Sequence, residues 1–298
     1  MATWVNGAFV APGAASIAPA DRGFTLGDGA FETLLVREGW CLRWDSHMER
    51  LGKALWLLGI ALPYPLEALR AAAAECAAAA GGPQCAVRIS VSRGPAVERG
   101  LLPAGTEAPT VAIEARAYAG YPEEMRKRGM HLATSQLRRN EHTPLARVKS
   151  LSNLQNVLAR MESQELGADE ALVLNTGGSI AGASAANLFA VFEREVVTPP
   201  VADGALPGTV RWLVGDEFVP ACGLEVREEP LWPGPLFRAY SEVFLTNALM
   251  GVMPVTRIDG EPVGDGLPGP VTAQIAAALA AHEANELAGV KGLRKPLL

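Results

Sequence analysis

Lys149 is the residue of this chain best placed to act as a nucleophile. Pro144, shortly before it, favours extended backbone in its neighbourhood. Downstream, apolar residues recur at helical spacing at Leu154, Val157, Leu158 and Met161. Lys149 therefore lies where an extended segment meets an amphipathic helix, and an amine partly desolvated there can lose its proton and attack a carbonyl to form a Schiff base. An ordinary solvated lysine at a helix end fits the same position, so position alone leaves both interpretations open.

The elements that must position Lys149 are predicted to form two α+β domains. The first is expected at residues 1–120, with strands at 2–10, 31–44, 85–92 and 109–117 and helices at about 45–59 and 65–80. The pattern breaks at 119–122, which indicates the connection between the domains. The second is expected at residues 121–298, with a strand at 130–137, the Lys149 segment, a helix at 152–165, short strands between 170 and 246, and helices near 208–220 and 270–287.

The composition is that of a globular protein with a mild negative charge. Of 298 residues, 49% are hydrophobic and 19% charged, and the net charge is -6, so we expect no binding to nucleic acid or to a membrane surface. The four cysteines (Cys41, Cys76, Cys85 and Cys222) lack C-x-x-C spacing and form no metal pattern with the histidines, which predicts reduced thiols and no metal site. No basic region precedes an apolar run at the N-terminus and no apolar stretch is long enough to span a bilayer, so we expect a cytoplasmic protein.

Five segments, in order along the chain, resemble motifs of the class IV family of pyridoxal-phosphate enzymes, which includes branched-chain and D-amino-acid aminotransferases. They are residues 21–33 (DRGFTLGDGAFET), 47–51 (HMERL), 138–154 around Lys149, 206–211 (LPGTVR) and 245–255 (LTNALMGVMPV). The resemblance covers nearly the whole chain. It implies the two-domain α+β fold of the D-amino-acid aminotransferases, pyridoxal 5′-phosphate as cofactor, and Lys149 as the catalytic residue that binds it. It also implies a small-molecule amino substrate and a homodimer, in which the 93–103 loop would reach the active site of the neighbouring subunit.

The resemblance further implies which residues bind the phosphate of the cofactor. They are Arg50; Gly208, Thr209 and Val210; and Thr246, Asn247 and Ala248. Arg50 would be the cation, and the first triplet opens a helix, where unsatisfied N–H groups suit a phosphate and a glycine allows close approach. The second triplet follows a strand and should add further donors. A surface arginine, and simple turn and capping chemistry at the two triplets, are the alternatives.

The substrate side of the pocket is expected to involve three residues of the first domain. Phe31 and Thr33 fall where the family places substrate-facing residues on a strand, and Arg93 begins a loop that could meet a carboxylate. Core packing is the alternative for Phe31, and an ordinary surface position is the alternative for Arg93.

Two positions depart from the pattern of the family. Leu154 stands where branched-chain aminotransferases usually have a tyrosine, which argues against that subgroup. Gly182 stands where the family normally has a glutamate that contacts the pyridine nitrogen of the cofactor. That carboxylate keeps the nitrogen protonated, so that the ring can act as an electron sink, and its loss should weaken carbanion chemistry. An acid from elsewhere in the chain, a mechanism with a neutral nitrogen, and reduced activity are the alternatives.

These features lead to a ranked set of functions. The run Asn247–Ala248–Leu249–Met250 resembles the aminodeoxychorismate lyase subgroup, folate-pathway enzymes that eliminate pyruvate to form 4-aminobenzoate. Because aromatisation supplies its own driving force, the loss at Gly182 favours the lyase. A transaminase acting on D- or branched-chain amino acids with a 2-oxo acid acceptor is the first alternative, since residues 258–272 are equally typical of transaminases. A cofactor-binding protein of low activity is the second.

Overall fold

The structure is a computed structural model in which residues 2–11, 13–234 and 239–293 are described. The chain divides into two compact units. The first unit comprises the described residues of Met1–Ala119, Val148–Asn153 and Glu286–Leu298, and the second comprises those of Gly120–Arg147 and Leu154–Asn285. The division after Ala119 falls at the predicted connection. The Lys149 segment, however, groups with the first unit, whereas the sequence placed it in the second domain.

The first unit is built on a six-stranded antiparallel sheet. Its strands are β1 (Ala2–Val5), β2 (Ala8–Val10), β3 (Gly29–Arg37), β4 (Trp40–Cys41), β5 (Gln84–Ser92) and β6 (Thr110–Ala117), and its helices are α1 (Arg22–Leu26), α2 (Trp44–Leu58) and α3 (Leu66–Ala80). The strands lie in the order β2-β1-β6-β5-β3-β4. Strands β3 and β5 are therefore neighbours, and they pair over nine residues each.

Helices α2 and α3 cover one face of this sheet. Helix α2 buries a stripe of residues between Trp44 and Leu55 at spacings of three and four, which is the period of a helix packed on one side. This stripe packs in the same cluster as Val87 and Ile89 of β5. Because side chains alternate along a strand, Arg88 and Ser90 point to the opposite face of the sheet.

The predicted strand at 31–44 is in fact a hairpin. Strand β3 ends at Arg37 and β4 begins at Trp40, so only two residues separate them. Glu38 and Gly39 both have positive φ angles, 53° and 77°. Such a two-residue turn matches the twist of the flanking strands, but a glutamate is an unusual residue there, which is why the pattern gave no turn signal.

The Lys149 segment is attached to the free edge at the start of β3. The Phe31 N–H donates to the carbonyl of Lys149 at 2.9 Å, and the Leu151 N–H donates to the carbonyl of Gly29 at 3.0 Å. Ala30 and Ser150 form an antiparallel bridge between the two segments. These backbone bonds explain why six residues in the middle of the chain belong to the first unit, and they fix the backbone of Lys149 beside Phe31.

The second unit is built on a nine-stranded mixed sheet. Its strands are β7 (Met130–Arg139), β8 (Glu170–Asn175), β9 (Ile180–Ala183), β10 (Asn187–Phe192), β11 (Glu195–Thr198), β12 (Glu225–Glu228), β13 (Glu242–Asn247), β14 (Gly251–Ile258) and β15 (Glu261–Pro262). The order is β12-β11-β10-β13-β14-β7-β8-β9, with β15 paired to β14. Its helices are α4 (Glu123–Arg128), α5 (Leu154–Glu165), α6 (Thr209–Leu213), α7 (Val219–Ala221) and α8 (Pro270–Leu293), whose last residues group with the first unit.

Two predicted helices of the second unit differ from the structure. The helix predicted near 208–220 consists of α6, a π-helical turn at Val214–Phe218 and α7, and Pro220 lacks the N–H that would continue a regular ladder. Helix α5 is present as predicted, but the apolar residues that indicated it are exposed: Leu154 by 66%, for example, and Met161 by 52%. Its buried residues are the small Ala159 and Ser163.

None of the helices in the described part of the chain combines the length and the apolar composition that a membrane span requires.

Candidate active site

A buried carboxylate, Glu32 of β3, organises the part of the site that lies in the first unit. Arg50 donates from Nε to Oε1 and from Nη2 to Oε2, both at 2.7 Å, and His47 Nδ1 lies 2.7 Å from Oε2. Burial alone would raise the pKa of Glu32, but the hydrogen bonds and charges of Arg50 and His47 outweigh it and lower the pKa to about 2. Burial lowers the pKa of His47. Because the ionised carboxylate of Glu32 can only accept a hydrogen bond, Nδ1 of His47 is the donor of this contact.

The amine of Lys149 lies beside this cluster. Its Nζ is 4.6 Å from the centre of the Phe31 ring. Burial and the positive charges of Arg50 and Arg88 lower the pKa of Lys149 to about 8, although Glu32 opposes the shift. A much larger fraction of this amine is neutral near pH 7 than for an ordinary lysine, and the neutral amine is the form that attacks a carbonyl.

Arg88 of β5 is a residue of the site that the sequence interpretation missed. Its guanidinium carbon lies 3.5 Å from the centre of the Phe31 ring, which also contacts Lys149. Thr33 lies directly opposite Arg88 in the pairing of β3 with β5. The structure therefore brings the predicted Phe31, Thr33, Arg50 and Lys149 together within the first unit and adds Arg88 to them. The signal available in the sequence was that Arg88 is the single charged residue of β5.

Arg93, predicted to meet a substrate carboxylate, is engaged within the first unit. Its Nε and Nη2 donate to Asp28 at 2.8 and 3.1 Å, and its terminal nitrogens also donate to the carbonyls of Gly59 and Leu58. Asp28 accepts a further hydrogen bond from Arg22, which in turn holds the carbonyl of Leu101 at 2.6 Å. The guanidinium of Arg93 thus anchors the loop that follows it, and these contacts do not support its predicted role in substrate binding.

The two triplets predicted to bind phosphate are neighbours within the second unit. Asn187 and Thr246 are paired residues of β10 and β13, and Asn187 Nδ2 donates to the carbonyl of Leu206 at 2.7 Å. Gly208 begins α6 as its N-cap, and a Cβ atom there would collide with the Asn187 side chain. Helix α6 has only five residues, so its contribution to anion binding comes from its first N–H groups more than from a long helix dipole.

Thr246 is buried and lacks a hydrogen-bond partner for its hydroxyl. Its Oγ1 has no partner among the described residues, although the side chain is completely inaccessible to solvent. The turn that follows is closed by Asn247, whose Oδ1 accepts from the N–H groups of Leu249 and Met250. An orphaned buried hydroxyl is costly unless a bound group satisfies it, so this turn has the character of a ligand site.

Gly182 lies in β9 and has a backbone conformation that few other residues adopt. Its φ angle is 127°, and a Cβ atom there would lie 3.0 Å from the carbonyl oxygen of Ala186. On either side of it, the carbonyls of Ala181 and Ala183 accept hydrogen bonds from Arg139, whose guanidinium is buried. The charged side chain that contacts this strand segment is therefore a cation, where the family has a carboxylate.

No cluster of three or more histidine, cysteine or carboxylate side chains suited to a metal ion occurs among the residues that the structure describes.

Comparisons with known proteins agree on one family. A family model described as amino-transferase class IV matches residues 29–258. D-alanine aminotransferase of Bacillus licheniformis is 30% identical over 260 residues, which cover 87% of this chain and 89% of that protein. The structure of 4-amino-4-deoxychorismate lyase from Pseudomonas aeruginosa is 30% identical with a TM-score of 0.82, and the match covers 94% of this chain and 98% of that one.

A further similar structure contains a form of the cofactor that the sequence predicts. A branched-chain amino acid aminotransferase from T.th., solved with pyridoxamine 5′-phosphate, is 27% identical with a TM-score of 0.87, and the match covers 95% of this chain and 94% of that one. The fold expected from the sequence is thereby confirmed. Because relatives include both aminotransferases and a lyase, the comparisons leave the specific activity open.

The amine of Lys149 should become reactive at a pH far below that of an ordinary lysine. Burial and the nearby cations lower its pKa to about 8, so the neutral form accumulates as the pH rises through that value. Cofactor-free protein can be labelled with an acylating reagent across a pH series and the Lys149 peptide followed by mass spectrometry. The same peptide labelled in denaturant is the control and should titrate near the ordinary value of about 10.4. Equal midpoints in the two states would contradict the prediction.

Replacing Gly182 by glutamate should destabilise the protein and weaken cofactor binding together. The positive φ and the close carbonyl of Ala186 strain any side chain there by about 1–3 kcal/mol. Gly182→Ala is the matched control, because it adds the strain without the carboxylate. Thermal unfolding and a cofactor titration on both variants measure the effect. A glutamate variant as stable as the native protein, with tighter cofactor binding, would show that the position accepts the carboxylate.

Proposed function

The chain belongs to the class IV aminotransferase family, and we propose that within it the protein acts as a lyase of the 4-amino-4-deoxychorismate lyase type. It is an enzyme that depends on pyridoxal 5′-phosphate, as members of the family are. The proposed reaction eliminates pyruvate from 4-amino-4-deoxychorismate and leaves 4-aminobenzoate.

The residues present fit the cofactor. Thr246 offers a buried hydroxyl without a partner, and the start of α6 at Gly208 offers backbone N–H groups beside it. Lys149 offers an amine whose pKa is lowered to about 8. We assign the phosphate to Arg50 and the two triplets, Gly208–Thr209–Val210 and Thr246–Asn247–Ala248. Glu32 holds Arg50 through two hydrogen bonds, so Arg50 would present a fixed cation to the phosphate.

Bound pyridoxal phosphate supplies an aldehyde that condenses with amino groups and a ring that withdraws electrons. The part of the chain in the reaction is then a proton transfer. In the lyase reaction, Lys149 Nζ accepts the proton from the ring carbon that carries the substrate nitrogen. The enolpyruvyl C–O bond breaks as the ring becomes aromatic, and the released enolpyruvate takes up a proton at its methylene carbon to give pyruvate. The low pKa of Lys149 suits this work, since a base is most effective when its pKa lies near the working pH.

Gly182 is the observation that carries the choice of a lyase. By resemblance this position lies at the pyridine nitrogen, where a carboxylate would keep the nitrogen protonated. In the structure this position is a glycine with a φ of 127°. The carbonyls of its two neighbours, Ala181 and Ala183, accept hydrogen bonds from the cation Arg139. These residues would not hold the nitrogen of a bound cofactor in its protonated form, and its ring would then be a weaker electron sink. Elimination that forms an aromatic ring depends less on that sink than transamination does, which supports the lyase.

A transaminase is the second candidate, because a D-alanine aminotransferase shows the same level of identity as the lyase structure. In that reaction Lys149 would move a proton between a carbon of the amino acid and a carbon of the cofactor. A protein that binds the cofactor with little catalysis is the third candidate, and the unusual Gly182 is the feature that favours it.

Assaying the purified holoenzyme with both kinds of substrate decides between these functions. We expect pyruvate and 4-aminobenzoate from 4-amino-4-deoxychorismate, at rates above transamination of a panel of D- and branched-chain amino acids with 2-oxoglutarate. Lys149→Ala should lower the rate by about 10²–10⁴-fold or more, because it removes the base, whereas Lys53→Ala, at an exposed lysine, should leave it unchanged. Transamination without pyruvate release would identify a transaminase. Neither activity, in protein that still carries the cofactor, would identify the binding protein.

We also propose that the protein is a homodimer. Large apolar side chains of the first unit are exposed, among them Trp56 by 82% and Leu102 by 88%, and exposed apolar clusters mark interaction surfaces. Arg22 holds the backbone of the loop that carries Leu101 and Leu102, so these side chains are presented on a fixed loop. Sedimentation should give the mass of a dimer, and Leu101→Ser with Leu102→Ser should weaken it. An active monomer at assay concentration would contradict this.

A further inference from the structure

We propose that Arg126 of α4 is a positioning residue for the phosphate of the cofactor. It holds the backbone of the turn at residues 248–250, which joins β13 to β14 directly after Thr246 and Asn247. This role rests on one part of the proposed function, namely that the triplet Thr246–Asn247–Ala248 binds the phosphate. Arg126 acts on that triplet through backbone carbonyls of the turn and of β14.

The first residues of β14 lie outside its pairing with β7. Strand β7 begins at Met130, and its pairing with β14 begins opposite Val255. On the other side of β14, β13 pairs with it from Gly251 onward. Met250 and Val252 are buried, and their carbonyls need hydrogen-bond partners that β7 does not supply.

A single guanidinium supplies both partners. Arg126 Nη2 donates to the carbonyl of Met250 at 2.8 Å, and Nη1 donates to the carbonyl of Val252 at 3.0 Å. These carbonyls lie on either side of Gly251, where the turn ends and β14 begins. Because the guanidinium is planar and charged, it fixes the direction of both carbonyls at once, and each bond is stronger than one between neutral groups.

Asn247 holds the same turn through its N–H groups. Its Oδ1 accepts from the N–H groups of Leu249 and Met250 at 3.0 and 2.7 Å, and its Nδ2 donates to the carbonyl of Ala185 at 3.1 Å. Asn247 therefore holds donors of the turn, and Arg126 holds carbonyls at its end. The two side chains together leave this backbone little freedom.

The fixed turn bears directly on the buried hydroxyl of Thr246. Thr246 and Val252 are paired residues of β13 and β14, so the strand end that carries this hydroxyl is adjacent to a carbonyl that Arg126 holds. The hydroxyl has no partner among the described residues. A site that is already ordered does not lose affinity to the ordering of its backbone when the phosphate binds.

Helix α4 is attached to β14 independently of Arg126. Thr256 Oγ1 donates to the carbonyl of Arg128 at 2.8 Å, and Met125 packs against the core cluster that contains Met253. Removing the guanidinium of Arg126 should therefore leave the helix in place and loosen the turn. This separation makes the role testable by substitution.

Comparing pyridoxal 5′-phosphate with pyridoxal tests the role of Arg126 without any turnover. The two probes share the ring and the aldehyde, but only the first carries a phosphate. Each is titrated into the cofactor-free protein, and binding at Lys149 is followed by visible absorbance. We expect Arg126→Met to weaken binding of pyridoxal 5′-phosphate by about tenfold, as the loss of one well-placed hydrogen bond to an anion does, and to leave binding of pyridoxal unchanged.

Arg126→Lys and Lys127→Met are the matched variants. Lysine keeps the charge without the planar pair of donors, so Arg126→Lys should recover no more than part of the lost affinity. Lys127→Met removes the same charge from the neighbouring, exposed residue of α4 and should change the binding of neither probe. Thermal unfolding of each cofactor-free variant establishes that it is folded, and Arg126→Lys carries the comparison if the methionine variant does not fold.

Thr246→Val separates a failure of this role from a failure of the phosphate assignment. Valine has the shape of threonine without the hydroxyl, so a phosphate at this turn predicts weaker binding of pyridoxal 5′-phosphate and unchanged binding of pyridoxal. A selective loss in Thr246→Val but none in Arg126→Met would keep the phosphate at the turn and overturn the role of Arg126. No selective loss in Thr246→Val would remove the phosphate from the turn, and with it the basis for that role.

Two further results would overturn the proposal. Equal weakening of both probes by Arg126→Met would assign Arg126 to the stability of the fold alone. Full recovery in Arg126→Lys would assign the effect to charge instead of the position of the turn. None of these measurements uses an amino substrate, so Arg126 can hold its role whether the enzyme proves to be a lyase or a transaminase.

Discussion

The hydrogen bonds that Glu32 accepts from Arg50 and His47 are the constraint on which the first-unit site depends. Lys149, Arg50 and Arg88 would otherwise lie near one another as three cations with no buried anion to balance them. Glu32 offsets one of these charges and fixes the orientation of Arg50. Burial first, and then the positive charges of Arg50 and Arg88, lower the pKa of the Lys149 amine to about 8. Glu32 thus stabilises Arg50 in the site, while its own charge opposes, without cancelling, the lowering of the Lys149 pKa.

The reactive lysine and the residues that bind Glu32 could be predicted from the sequence because local patterns indicate them. The helical repeat after Lys149 predicted a helix there, and α5 follows at Leu154–Glu165. The extended backbone expected around Pro144 is wrong, because Pro144–Arg147 form a 3-10 helix, which the fixed φ of proline also allows. His47 and Arg50 lie three positions apart, so one face of a helix carries both, and they contact the same carboxylate. Local spacing is sufficient in these cases because a single element determines the outcome.

Features that depend on distant parts of the chain could not be predicted. Arg88 acquires its neighbours through strand pairing with β3, more than fifty positions earlier in the chain, and no local pattern encodes that register. Arg93 was assigned to the substrate because nothing nearby indicated that Asp28 would take it. The repeat from Leu154 to Met161 indicated a helix correctly, but a repeat does not tell which partner covers the apolar side, and that side is exposed. Gly182 could be identified as unusual, whereas its positive φ required coordinates.

The route of the chain through the two units has a consequence for gene fusion and fragment design. The chain passes from one unit to the other after Ala119, Arg147, Asn153 and Asn285. A fragment that ends at Ala119 would lack the segment Val148–Asn153, which is hydrogen-bonded to β3 and carries Lys149. It would also lack Glu286, whose carboxylate accepts hydrogen bonds from Trp40 Nε1 and the Arg43 N–H. Neither unit is therefore formed by one continuous stretch of the chain. A chimaera that exchanges the first unit between relatives must carry three separate stretches of sequence, the shortest only six residues long, to transfer an intact site.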